Sequence, residues 1–202
     1  MFINLKAVLG TTLMISAIAT GFAFAGAHTA SAADNEQTST AKVSLSLPSD
    51  AAVGIKSAPD LDFGSQAVST QQTTMKVAQK PEALVVSNPG LTSTWSVKVS
   101  ASNFTKAGST RTIQGAQIVM GNGAVSAEND NNVSTKPTAP SDVTVDAGGS
   151  AVDVLSSAAD GSSVGNFADA FSMDQVQLIV PAGNVTGDYA ASLTWELSST
   201  PA

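Results

Sequence analysis

The chain has 202 residues, 16 Asp and Glu against nine Lys and Arg, a net charge of −7, one histidine and no cysteine. That balance leaves no basic stripe to neutralise phosphates, which argues against nucleic acid as a partner, and it gives no net attraction to an anionic membrane or wall polymer. Without cysteine there is no disulfide, thiolate nucleophile or lipoprotein anchor, so stability has to come from burial and sheet hydrogen bonds.

The first residues follow a secretory pattern. Lys6 supplies a positive charge, Ala7 to Ala25 is apolar and uncharged, and Ala30-Ser31-Ala32 is a small-x-small cleavage site before the polar Asp34-Asn35-Glu36-Gln37. The apolar stretch approaches spanning length, so a retained anchor is the competing reading. The cleavage site and the abrupt change in polarity favour removal. Residues 1–32 are then a signal peptide, 33–41 a flexible tail and 42–202 the folded domain, with no membrane span in the mature chain. Cleavage would also remove His28, the sole histidine, and with it any imidazole base or zinc ligand.

From residue 42 the pattern is β. Lys42-Val43-Ser44-Leu45-Ser46-Leu47 alternates with period two and stops at Pro48. Short strands are expected at Leu61-Asp62-Phe63-Gly64, Met75-Lys76-Val77 and Ala83-Leu84-Val85-Val86, punctuated by Pro81 and Asn88-Pro89-Gly90. A clearer strand places Trp95, Val97, Val99 and Ala101 on one face, and Ile113 to Met120 carries another strand or pair ended by Gly121-Asn122-Gly123. Ala124 to Gly149 reads as a long polar loop with a short strand at Val143-Thr144-Val145. Val152 to Leu155 and Val176 to Val180 are strands, while Phe167 to Phe171 fits a strand or a single helical turn. Gly187 opens a terminal strand with Tyr189, Ala191, Leu193, Trp195 and Leu197 on one face. Many short strands with Gly and Pro turns and no 3.6-residue period predict an all-β sandwich of mainly antiparallel strands with long polar loops.

Two of these segments carry a signature. Asn88-Pro89-Gly90-Leu91-Thr92-Ser93-Thr94-Trp95-Ser96-Val97 and the ending Tyr189…Leu193-Thr194-Trp195-Glu196-Leu197…Pro201, with Leu61-Asp62-Phe63-Gly64 before them, resemble the WxL domain of Gram-positive surface proteins. One departure is Val97, where the first motif usually has leucine; valine is apolar and strand-favouring. The resemblance implies a secreted protein retained at the cell wall by non-covalent binding to peptidoglycan, in the company of other WxL-family or membrane-anchored surface proteins. Its motif residues here are Trp95, Val97, Tyr189, Leu193, Trp195 and Leu197. Independently, no Leu-Pro-x-Thr-Gly sorting signal or apolar helix lies near the C-terminus, which also points to non-covalent retention.

In a strand, Trp95 shares a face with Val97 and Trp195 with Leu197. The small polar residues on the opposite faces favour both pairs as core, one from each sheet; an exposed platform for stacking on sugar rings is the functional alternative. Gly161-Ser162-Ser163-Val164-Gly165 matches the Gly-x-Ser-x-Gly of serine hydrolases, but that elbow needs a helix after it and a histidine in reach, so no catalytic role is expected for Ser163. The chain calls for no cofactor. Its nearest approach to a metal site is Glu128-Asn129-Asp130-Asn131-Asn132, where Glu128 and Asp130 would be the calcium ligands; the spacing is not that of an EF-hand, and such loops are usually solvated turns. A binding protein rather than an enzyme is therefore expected. The alternatives are a component that binds another surface protein and, less favoured for want of an identifiable pair, a wall hydrolase using two carboxylates.

Overall fold

The alternation around the first tryptophan becomes a strand buried on one face. In a computed structural model, which describes residues 37–157 and 162–199, Trp95, Val97, Val99 and Ala101 are buried while Ser96, Lys98 and Ser100 are half-exposed. The signal-peptide assignment lies outside the described residues, as do residues 158–161 and 200–202. The chain divides into a unit Met1–Val43 and a unit Ser44–Ala202. All assigned strands lie in the second.

Among the described residues there are thirteen strands and no helix: β1 (Gly54–Ser57), β2 (Thr73–Lys76), β3 (Leu84–Asn88), β4 (Trp95–Ala101), β5 (Thr105–Lys106), β6 (Gln117–Gly121), β7 (Ala124–Ala127), β8 (Asp142–Asp146), β9 (Val152–Ser156), β10 (Gly165–Ala170), β11 (Val176–Val180), β12 (Tyr189–Ala190) and β13 (Leu193–Ser199). They form sheets ordered β1-β3-β10-β7, β2-β11-β6-β8 and β13-β4-β9, with a small β12-β5 ribbon. All the strand pairs are antiparallel. The all-β expectation, short antiparallel strands included, holds.

One apolar core joins the three larger sheets through Leu84 and Val86 of β3, Trp95, Val97 and Val99 of β4, Ile118 and Met120 of β6, Val145 of β8, Leu155 of β9 and Leu178 of β11. All but Leu155 come from the inward half of an alternating strand; in β9 the adjacent Val154 and Leu155 are both buried, where the register shifts against β4. Gly121 and Gly123 frame the tight β6–β7 connection, which Gln175 ties down: Gly121 N–H donates to the Gln175 carbonyl at 2.7 Å and Gln175 Nε2 to the Asn122 carbonyl at 2.5 Å.

Several expected elements differ. Lys42–Leu47 pairs with no strand, and Val43 and Leu45 are 87% and 91% exposed. An alternating pattern makes a strand only where a neighbour accepts its backbone groups, and here none does. Leu61–Gly64 is a turn: Gly64 has φ of 65° and its N–H donates to Asp62 Oδ1 at 2.8 Å. The Ala124–Gly149 loop begins with β7, which pairs with β10, and Phe167–Phe171 resolves as that strand rather than a helical turn. The terminal strand is two elements, because β12 pairs with β5 while β13 pairs with β4.

Candidate functional site

The two tryptophan strands lie side by side. β13 runs antiparallel to β4 with Leu193 opposite Ala101, Trp195 opposite Val99, Leu197 opposite Val97 and Ser199 opposite Trp95. The expectation of one tryptophan pair from each sheet is therefore corrected: both pairs belong to one face of one sheet. What separates them is position within it. β4 is central, flanked by β13 and β9, whereas β13 is at the edge.

Edge position changes the environment of the second motif. Trp95 is 3% exposed and Val97 fully buried. Leu193, Trp195 and Leu197 point the same way but are only half-buried. Trp95 belongs to the core, with its indole Nε1–H buried without a hydrogen-bond partner, a cost of order 1–3 kcal/mol that its apolar area offsets. Tyr189 is half-buried on β12 and its hydroxyl donates to the Val185 carbonyl at 3.0 Å, so it fixes the turn leading into the motif.

Beside β13 lies a groove of about 400 Å³. One wall is Ala191, Ser192, Leu193 and Trp195; the other is Ala58, Pro59, Asp60, Leu61 and Phe63; Phe104 and Ile118 complete it. Both walls are pinned. Ser192 N–H donates to Ser102 Oγ and Ser102 N–H to the Ser192 carbonyl, each at 2.9 Å, which clamps the start of β13 to the end of β4. Ala78 N–H donates to the Asp62 carbonyl at 2.7 Å and holds the facing turn. The lining residues are mostly aromatic and aliphatic, but the surface they expose in the groove is more polar than apolar; its size lies in the range of small-ligand clefts. Asp60 is the only acidic residue among the lining residues, so the groove supplies no pair of carboxylates for glycoside hydrolysis.

The groove uses Leu193 and Trp195 of the sequence-derived motif but not Trp95, Val97, Tyr189 or Leu197. Leu61 and Phe63, which the sequence marks as an expected strand and early motif element, line it together with Trp195. Phe104 and Ile118 carry no sequence signal beyond apolarity. A second, polar hollow of about 670 Å³ is lined by Ser87, Asn88, Pro89, Glu128, Asn129, Asn132, Val164, Gly165 and Asn166. Glu128 lines it and Asp130 does not. The surrounding loop satisfies itself: Asn129 Oδ1 accepts from Asn131 N–H at 3.0 Å, Asn132 Oδ1 from Ser134 N–H at 2.8 Å, and Asn132 Nδ2 donates to the Val164 carbonyl at 3.0 Å. No cluster of three carboxylate, histidine or cysteine ligands occurs among the described residues.

Ser163 is buried with φ of 63°, and β10 rather than a helix follows it, so the elbow of a serine hydrolase is not formed. A residue the sequence reading missed is Asp169. It lies on β10, is fully buried, and neither carboxylate oxygen has a hydrogen-bond partner. Burial pushes its pKa up from 3.8 to about 6. Its Oδ1 packs against Gly123, where a Cβ would collide with it.

The domain is thus all-β, with a central buried tryptophan, an edge tryptophan and a groove beside the edge strand. Residues 47–201 match the family described as WxL domain surface cell wall-binding, and the chain belongs to that family. No curated protein and no solved structure matches it.

Proposed function

We propose that this protein is exported, remains at the Gram-positive surface and binds peptidoglycan non-covalently, with the groove beside β13 as the contact. The supporting observation is that, of the two motif tryptophans, the half-buried Trp195 lines the groove while Trp95 is core. A partly exposed indole in a pinned wall offers a flat apolar face to a sugar ring at small entropic cost, and Asp60 and Ser192 are placed to meet hydroxyl groups. With a net charge of −7, recognition has to be local rather than long-range.

Co-sedimentation with purified, protein-free peptidoglycan tests this. Saturable binding by the wild type and loss in a folded Trp195→Ala variant support it; a wild type that stays in solution refutes direct wall contact. Assembly with other WxL-family or membrane-anchored surface proteins is a second reading, favoured by the edge of β13 that has no strand partner among the described residues. Neither reading assigns catalysis or a cofactor to the protein, and a wall hydrolase would show itself in the same assay by releasing soluble muropeptides.

A further inference from the structure

We propose that Lys42–Ser46 of one copy adds as an extra strand to the free edge of β13 in a second copy and closes the groove there. The two halves of this contact are both unsatisfied on the same chain. Lys42–Ser46 alternates polar and apolar residues, yet it has no strand partner among the described residues and exposes Val43 and Leu45 almost completely. Its root is Leu47, whose Cδ2 sits 3.0 Å from where a Cβ on Gly90 would lie.

β13 is the edge best suited to receive it. Folded proteins blunt free edges with short strands, bulges, lysine or proline. β1 and β9 show register shifts against their neighbours, β2 and β7 have only four residues, and β8 has five with an aspartate at each end. β13 has seven residues in unbroken register with β4, contains neither lysine nor proline, and has no partner on its other edge among the described residues. Five donor residues span about 17 Å, within the reach of such a strand. Adjacent strands align like faces, which places Val43 and Leu45 beside the half-exposed Leu193, Trp195 and Leu197, and Lys42 on the polar face that carries Glu196, the one charged residue of β13. Reciprocal exchange closes as a dimer; one-way exchange propagates into longer chains.

Self-association stands whatever the groove binds. Only its consequence, that association and peptidoglycan compete for the groove, rests on the wall-binding reading. Analytical ultracentrifugation of the exported protein over a wide concentration range should show concentration-dependent association. Leu45→Asp, at a site too exposed to affect the fold, should weaken it about tenfold or more, with unchanged thermal unfolding of the monomer. Because the chain has no cysteine, spin labels can be placed on Ser44→Cys in one preparation and Glu196→Cys in another. Mixing them should give dipolar broadening. A protein that stays monomeric throughout, an association indifferent to Leu45→Asp, or labels that show no broadening would each overturn the proposal, independently of the sedimentation result with peptidoglycan.

Discussion

Asp169 makes the stability of this domain depend on pH in an unusual direction. The carboxyl sits mid-strand on β10, between Leu84 of β3 and Val125 of β7, with no cation or donor to stabilise its charged form. Its pKa rises from 3.8 to about 6, so between those values the folded protein holds a proton that the unfolded chain releases. The sign follows: the neutral form's stability is fully present below about pH 4, falls as pH rises towards 6, and is flat beyond. A shift of roughly two units corresponds to about 3 kcal/mol. A scan that starts at pH 4, close to the unfolded value of 3.8, samples about 2 kcal/mol of it. Asp169→Asn keeps the shape and cannot ionise. Urea unfolding from pH 4 to 7.5 should show the wild type losing about 2 kcal/mol while the variant loses much less and is the more stable protein at neutral pH. Exposed carboxylates such as Asp174, held below its usual range by the hydrogen bond and charge of Lys76, titrate in both proteins, so the difference profile isolates Asp169. Parallel profiles for the two proteins would refute the reasoning.

The two tryptophans should separate stability from binding: Trp95→Ala is expected to cost about 3–5 kcal/mol in denaturant unfolding, and Trp195→Ala roughly half that, while abolishing sedimentation with peptidoglycan. Gly123→Ala should destabilise by about 2 kcal/mol because its Cβ meets the Asp169 carboxylate, and most of that should vanish in an Asp169→Ala background, as a double-mutant cycle can measure. Asp174→Asn removes the 2.6 Å ion pair with Lys76, but both side chains are more than half exposed, so thermal unfolding should not change measurably.

What was legible in the sequence follows from the range of the physics involved. β4 could be placed from its own alternation because a central strand is buried along its whole inward face. Lys42–Leu47 has the same alternation and is not a strand, since pairing depends on a partner elsewhere in the chain that the local pattern cannot report. Asp169 left a trace that went unread: in a strand it shares a face with the buried Phe167 and Phe171, a polar residue where a core residue belongs. By sequence that segment fits a strand or a helical turn, and only the strand makes the anomaly visible. The groove was not legible because Leu61, Phe63, Phe104 and Ile118 come from separate parts of the chain.

On the wall-binding reading, the paired tryptophans let one motif serve two ends. Trp95 and Trp195 have similar neighbours in sequence and lie on adjacent strands of one sheet, facing the same way. Local sequence therefore does not decide their fates. β9 pairs with the far side of β4, and among the described residues no strand pairs with the far side of β13. The first tryptophan is enclosed and supplies burial energy, even at the expense of an unpartnered Nε1–H. The second keeps part of its ring open beside the groove. In a chain with no disulfide available, a rigid wall for that ring has to come from packing, and the clamp between Ser102 and Ser192 transmits the rigidity of β4 to it. The core tryptophan would thus act on recognition only through the strand that carries its half-buried counterpart.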